Sequence, residues 1–190
     1  MAAKVTRSTR SKSGGRPAVK PCECCGFAPG VGGKPLSITF EQPDVYYDIM
    51  PELLDTWGQD PFLAIKTIGF FLRVIVPIKL DGGFSVNFGT WLEISDDDFR
   101  TAWRTWNAPE YQDLEVEGYL ANAIAPWPPF PHALAKATVR SVEEVPFVTS
   151  ASHPEVQMLL DMEWPHRRIL DPYGDVLKID PTAIVATKGR

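Results

Sequence analysis

Phe70-Phe71-Leu72-Arg73-Val74-Ile75-Val76-Pro77-Ile78-Lys79-Leu80, then Asp81-Gly82-Gly83, then Phe84-Ser85-Val86-Asn87-Phe88-Gly89-Thr90-Trp91-Leu92-Glu93-Ile94, is the stretch that carries the architecture. Its apolar period is two. Phe70, Leu72, Val74, Val76, Ile78 and Leu80 share one face of a strand, with Arg73 and Lys79 on the other. Phe84, Val86, Phe88, Thr90, Leu92 and Ile94 share one face of the next. A three-residue turn pairs Leu80 with Phe84, Ile78 with Val86, Val76 with Phe88 and finally Phe70 with Ile94. Both apolar sets then fall on the same side, which is what sets a hairpin's register. The glycines supply the positive φ that such a turn needs. Pro77 cannot donate to a ladder, so its nitrogen is expected to face outward or sit at a bulge.

A helix follows. Ser95 before Asp96-Asp97-Asp98 offers a hydroxyl to free amides and acids to the positive helix end. Phe99, Ala102, Trp103 and Trp106 recur at helical spacing, and Pro109 closes the segment. The three aspartates fan outward on a first turn, so their expected role is charge stabilisation and not metal binding. Leu36–Phe40, Phe62–Lys66 and Leu134–Val142 read as strands, and Pro51-Glu52-Leu53-Leu54 opens a short helix. Pro126-Trp127-Pro128-Pro129-Phe130-Pro131 reads as an extended loop whose aromatic residues seek burial. Ser152-His153-Pro154-Glu155 starts another helix, with Val156, Leu159, Leu160 and Met162 behind it. The fold class expected is α+β: an antiparallel sheet built around a central hairpin at about 68–94, with a few packed helices.

The chain has 190 residues, 44% of them hydrophobic, enough for one domain with a real core and too many for global disorder. Its charge is uneven. Residues 1–20 carry six basic side chains and no acid, leaving 13 bases against 24 acids in the rest. The expected organisation is a disordered basic arm at 1–20, a single α+β domain at 21–175 and a C-terminal tail at 176–190. No apolar run near Met1 has the form of a secretory signal, and Thr67–Leu80 is too short and too interrupted to span a bilayer. A cytoplasmic location, with reduced cysteines and no membrane partner, is the corresponding expectation.

Three places could carry chemistry. Cys22-Glu23-Cys24-Cys25-Gly26 is a Cys-x-x-Cys knuckle, and Cys22 and Cys25 are the candidate metal ligands, with zinc the expected ion. A structural zinc needs four ligands, so Cys24, His132, His153, His166, a carboxylate or a second subunit must complete it. His153, before a proline at a helix mouth, is a candidate general base whose commoner role is a cap. Glu143-Glu144, with Glu115 and Glu117, could divide acid and base work but reads as a solvated face. No nucleophile elbow, phosphate-binding loop or zinc-protease motif is present in the sequence.

Together these pieces resemble a family. The knuckle, Pro43-Asp44-Val45-Tyr46-Tyr47, Phe70-Phe71-Leu72-Arg73, Val76-Pro77, Phe88-Gly89-Thr90-Trp91-Leu92-Glu93-Ile94-Ser95, Phe99, Trp106, Glu117-Gly118-Tyr119-Leu120 and Ser152-His153-Pro154 occur in its order. The chain resembles, over residues 22–163, a bacterial domain-of-unknown-function family, number 2199. The resemblance implies a coherent fold and a bacterial origin, and no assigned activity. It also implies a histidine shortly after the knuckle, where this chain has Phe27-Ala28-Pro29-Gly30.

Three functions follow as expectations. The first is a non-catalytic binding or regulatory domain, of immunity type, whose acidic body meets a basic protein partner or a second copy of the chain. The second is a metal-dependent hydrolase or other enzyme using Cys22, Cys25 and His153. The third is nucleic-acid contact through residues 1–20.

Overall fold

The computed structural model describes Ala3–Lys4 and residues 36–130 and 133–177. Its spine is the hairpin of two long strands, Gly69–Leu80 and Phe84–Ile94. They pair antiparallel from Phe70↔Ile94 through Val76↔Phe88 to Leu80↔Phe84, which is the register the alternation implies. Gly82 and Gly83 both have φ +78° and make the turn.

In chain order the strands are β1 (Ala3–Lys4), β2 (Leu36–Phe40), β3 (Thr56–Trp57), β4 (Phe62–Ile65), β5 (Gly69–Leu80), β6 (Phe84–Ile94), β7 (Glu115–Leu120), β8 (Leu134–Thr138), β9 (Phe147–Ala151) and β10 (Glu163–Trp164). The helices are α1 (Asp44–Asp48), α2 (Asp96–Thr105), α3 (Pro154–Asp161) and α4 (His166–Leu177). Pro51–Leu53 and Pro109–Asp113 form 3-10 turns, so the first of them is shorter than the helix expected there.

The sheet is mixed and it closes, which corrects the expectation of an antiparallel sheet built around a hairpin. β6 pairs β7, β7 pairs β8 and β8 pairs β9, all antiparallel; β9 then returns to β5, parallel, at Ile75↔Phe147. With the β5–β6 pairing these five strands form a closed, barrel-like ring. β2 adds parallel to the first half of β6, β10 adds parallel to the end of β5, and β4 and β3 continue antiparallel from its beginning. The outer edge of each long strand is thereby divided among successive partners. The parallel seams could not be read from hairpin patterning, because the chain must first make an excursion such as α3 to run in the same direction again.

Pro77 falls where that edge has a gap. Arg73 N–H donates to Pro61 O at 2.8 Å, Ile75 N–H to Pro146 O at 2.8 Å and Asp81 N–H to Trp164 O at 3.0 Å, all away from β6. Pro77 shares their parity and lies between the pairings of β9 and β10, where a missing donor costs little.

One core fills the ring and the space beneath its helices. Leu72, Val74, Val76, Ile78, Val86, Phe88 and Leu92 are fully buried, each contributing about 1.5–3 kcal/mol relative to exposure. Phe99 and Ala102 of α2, Leu159 and Leu160 of α3 and Ile169 and Tyr173 of α4 close over it. A smaller layer of Leu63, Ile65, Phe71 and Trp91 lies on the other side of β4–β5–β6, covered by Val45, Tyr46, Ile49 and Leu54. Both faces of the hairpin are therefore buried at this end.

Ser95 caps α2 as its sequence implies: its hydroxyl accepts from Asp98 N–H at 3.0 Å and donates to the Asp98 carboxylate at 2.8 Å. The strand expected at Leu134–Val142 stops at Thr138, and the chain turns where Glu144 N–H donates to Ser141 O at 3.0 Å. β7, β9 and α4 have no counterpart in the expected elements. Trp127 is buried and Phe130 half-buried, as the proline-rich loop requires.

Gly118 is where β7 meets β6 most closely. A Cβ there would lie 2.1 Å from Glu93 O, so Gly118→Ala forces the pair apart and should cost about 3 kcal/mol or more in urea denaturation. Gly83→Ala, with nothing within 4 Å and only its positive φ at stake, should cost about 1 kcal/mol.

Tyr111 gives a second test. It is fully buried with no hydrogen-bond partner for its hydroxyl among the described residues, and burial pushes its pKa well above the ordinary 10.0. Burial likewise pushes Tyr173 up to about 12, against a backbone hydrogen bond with Ala125 that lowers it. A folded pKa above the unfolded value gives stability that is complete below pH 10 and is lost as pH rises further. Tyr111→Phe should therefore be neutral or stabilising by about 1 kcal/mol near pH 7, and denaturation melts above pH 10 should show a shallower alkaline loss than the parent.

Candidate functional site

The most densely hydrogen-bonded buried polar group lies just beyond β7. Asn122 is 7% exposed and Thr90 of β6 is fully buried. Asn122 Oδ1 accepts from the Thr90 hydroxyl and from Trp91 N–H, both at 3.0 Å. Its Nδ2 donates to Gln42 O at 2.9 Å and to Asp44 Oδ1 at 3.0 Å. The other Asp44 oxygen accepts from Ala123 N–H at 2.7 Å, while Asp44 N–H donates to Ala121 O at 2.8 Å. Every donor and acceptor position of the Asn122 amide is thus used. The group ties β6, the β2–α1 connection and the end of β7 into one unit, and its chemistry is positioning.

Arg73 does similar work on the smaller core. Its guanidinium lies 4.3 Å over the Trp91 ring, Nη1 donates to Phe40 O at 2.6 Å, Nη2 reaches Glu41 O at 3.4 Å and Nε pairs with Asp60. These contacts commit the group to structure and leave it little freedom for a ligand.

The expected site residues separate. Cys22, Cys25 and His132 lie outside the described residues. His153 is the N-cap of α3: its Nδ1 accepts from Glu155 N–H at 3.3 Å, and its ring lies 5.5 Å from Phe130. Glu143 and Glu144 are exposed in the β8–β9 turn. Glu115, on β7, pairs with Lys136 at 2.6 Å. Of the three aspartates, Asp98 joins the Ser95 cap and Asp96 binds Arg100 at 2.9 Å. Among the described residues no group of three His, Cys, Asp or Glu is placed to hold a metal ion. His166, the one buried histidine among them, has Nε2 2.7 Å from Asp81 O and its ring 5.1 Å from Phe84.

Two of the concavities among the described residues bear on function. A groove of about 610 Å³ runs over the outer face of the β5–β6 hairpin, past Pro77, Ser85 and Asn87, towards Thr149 and Asp161. Its cations are engaged: Lys79 Nζ reaches Asp161 O at 3.4 Å, and the Arg140 guanidinium lies 3.9 Å over the Phe147 ring. A second cleft, of about 460 Å³, lies between β3 and α2 and is lined by Trp57, Phe70, Phe99 and Trp103 with Asp96, Arg100 and Arg104. Helical spacing puts Trp103 with Phe99, Ala102 and Trp106, and no motif marks Trp57, because the signal for the cleft lies in a tertiary contact. No helix among the described residues is long and apolar enough to cross a membrane.

Fold and site together define a mixed α+β domain: a small closed, barrel-like sheet with added strands, helices packed against its core and buried polar ties between its elements. The chain belongs to DUF2199, a family of uncharacterised proteins conserved in bacteria, which matches residues 21–161. No curated protein and no solved structure matches the chain.

The Asn122 hub has a measurable weight. Asn122→Ala leaves the Thr90 hydroxyl, the Trp91 amide and one Asp44 oxygen without this partner in a buried place, so urea denaturation should show a loss of about 2–4 kcal/mol. Exposed Glu143→Ala should change stability by no more than about 0.5 kcal/mol.

Proposed function

We propose that the protein is a non-catalytic binding domain, of immunity type, whose acidic body engages a basic protein partner. The observation that carries this reading is the acidic surplus of the folded part. Residues 36–177 contain 22 acidic and 9 basic side chains, and four ion pairs use only Asp55, Asp60, Asp96 and Glu115 among the described acids. Glu110, Asp113 and Glu117 stand exposed at and just before β7, around the one pair that Glu115 makes with Lys136. Exposed charge of one sign contributes little to folding. It raises the encounter rate with an oppositely charged surface and suppresses wrong partners.

The test is capture from a bacterial lysate at low salt, followed by purification of the partner and measured binding. The expected partner is basic, and its association slows as ionic strength rises from about 0.05 to about 0.5 M. Replacing Glu110, Asp113 and Glu117 together by Lys should slow association about tenfold or more while leaving the thermal midpoint within a few degrees. Capture of no protein, or of a complex indifferent to both salt and charge reversal, overturns the proposal.

A further inference from the structure

The cleft between β3 and α2 has a chemistry of its own. Trp57 is 57% exposed and Trp103 38% exposed, a large apolar surface to leave in water. Their ring centroids are 4.9 Å apart and their planes are inclined by 46°, so the two rings meet in a tilted wedge and not in a parallel stack. Behind the wedge the aromatic packing is continuous: Trp57 lies 6.2 Å from Phe99, and Phe62 lies 5.0 Å from Trp103 and 5.6 Å from Trp106. That packing holds the two exposed rings in place before anything binds, which lowers the ordering cost of a ligand.

The rim supplies charge. Arg100 and Arg104 stand one turn apart on α2 and both line the cleft. Arg100 is held by Asp96, with Nε at 2.9 Å from each carboxylate oxygen. Arg104 is exposed and makes no ion pair and no ring contact of the cation–π kind among the described residues. In a body with 22 acids and 9 bases between residues 36 and 177, a spare guanidinium beside two presented indoles is a local inversion of sign.

We propose that this cleft binds a small planar aromatic molecule carrying one anionic group, a phosphate or a carboxylate, with its ring against Trp57 and Trp103 and its anion on Arg104. Stacking on tryptophan and a charge-assisted bond to a guanidinium are each strong in a partly dry site. The cleft, at about 460 Å³, has the capacity of a small-molecule site. A long polyanion or an acidic peptide would lay further charge along the acidic body, whereas a single anion meets mainly the arginine rim. The proposal is independent of the acidic-surface reading, since it uses other residues and the opposite charge.

The test is two-dimensional NMR of the full chain, following the indole N–H resonances assigned with Trp57→Phe and Trp103→Phe. Adenosine monophosphate serves as the phosphate probe and 2-naphthoate as the carboxylate probe, each against its uncharged counterpart, adenosine and 2-naphthamide. At least one anion should shift the Trp57 and Trp103 resonances saturably and bind about tenfold tighter than its counterpart. Arg104→Gln, an exposed change, should remove that preference with an unchanged thermal midpoint. Binding by one anion alone identifies the source. No saturable shift of these two resonances with either anion, equal binding of charged and uncharged forms, or an intact preference in Arg104→Gln overturns the proposal.

Discussion

The constraint on which the rest depends is the pairing of β5 with β6 through the whole length of both strands, from Phe70↔Ile94 to Leu80↔Phe84. A slip of β5 by one residue against β6 would carry Val74, Val76 and Ile78 to the face opposite Val86 and Phe88 and split the core. Everything else is hung on the two outer edges that this ribbon leaves. β4, β9 and β10 take successive stretches of β5, while β2 and β7 take successive stretches of β6. Ring closure follows from β7, β8 and β9 bringing the chain round to Ile75. That last seam rests on one registered pair, and α3 packs beside it with Leu159 and Leu160 buried.

Polar ties hold what hydrophobic burial alone would leave free to slide. The segment Gly89-Thr90-Trp91 shows the division of labour, since each residue serves a different neighbour. Gly89 lets β2 approach, for a Cβ there would meet Thr39 Oγ1 at 3.0 Å. Thr90 turns inward to Asn122, and Trp91 lies beneath the Arg73 guanidinium. Burial of the Asn122 amide is tolerated because all four of its hydrogen-bond positions are filled, and that of the Arg73 charge because it meets Asp60, two carbonyl oxygens and an indole face. These commitments leave Arg73 and Asn122 poor candidates for chemistry on a ligand.

Features able to recognise something else are correspondingly at the surface: exposed acids that no ion pair among the described residues uses, and the wedge of Trp57 and Trp103 beside Arg104. The acidic surplus was legible as a count along the chain, because charge needs no geometry to be tallied. The wedge was not. Trp57 and Trp103 are 46 positions apart in sequence, and only the return of β3 against α2 puts them together. His153 was legible as a helix-mouth residue, and its cap bond to Glu155 follows from that local position. Asn122, between two alanines and beyond the end of a strand, carries no periodicity or motif to mark it.

By itself the sequence determined the central hairpin, its register, the glycine turn and the capped start of α2, since each depends on side-chain alternation or hydrogen bonds between residues close along the chain. It also limited Pro77 to an outward nitrogen or a bulge, and the structure puts it in a gap of the outer edge of β5, between the pairings of β9 and β10. Only the tertiary structure decided that the sheet closes, that β2 runs parallel to β6 and that β9 and β10 run parallel to β5, and that β7 and β9 are strands at all. Parallel partners meet after long excursions through intervening helices, and the choice among them is made by burying a common core. No local pattern encodes which distant edge will be left unpaired when the chain returns.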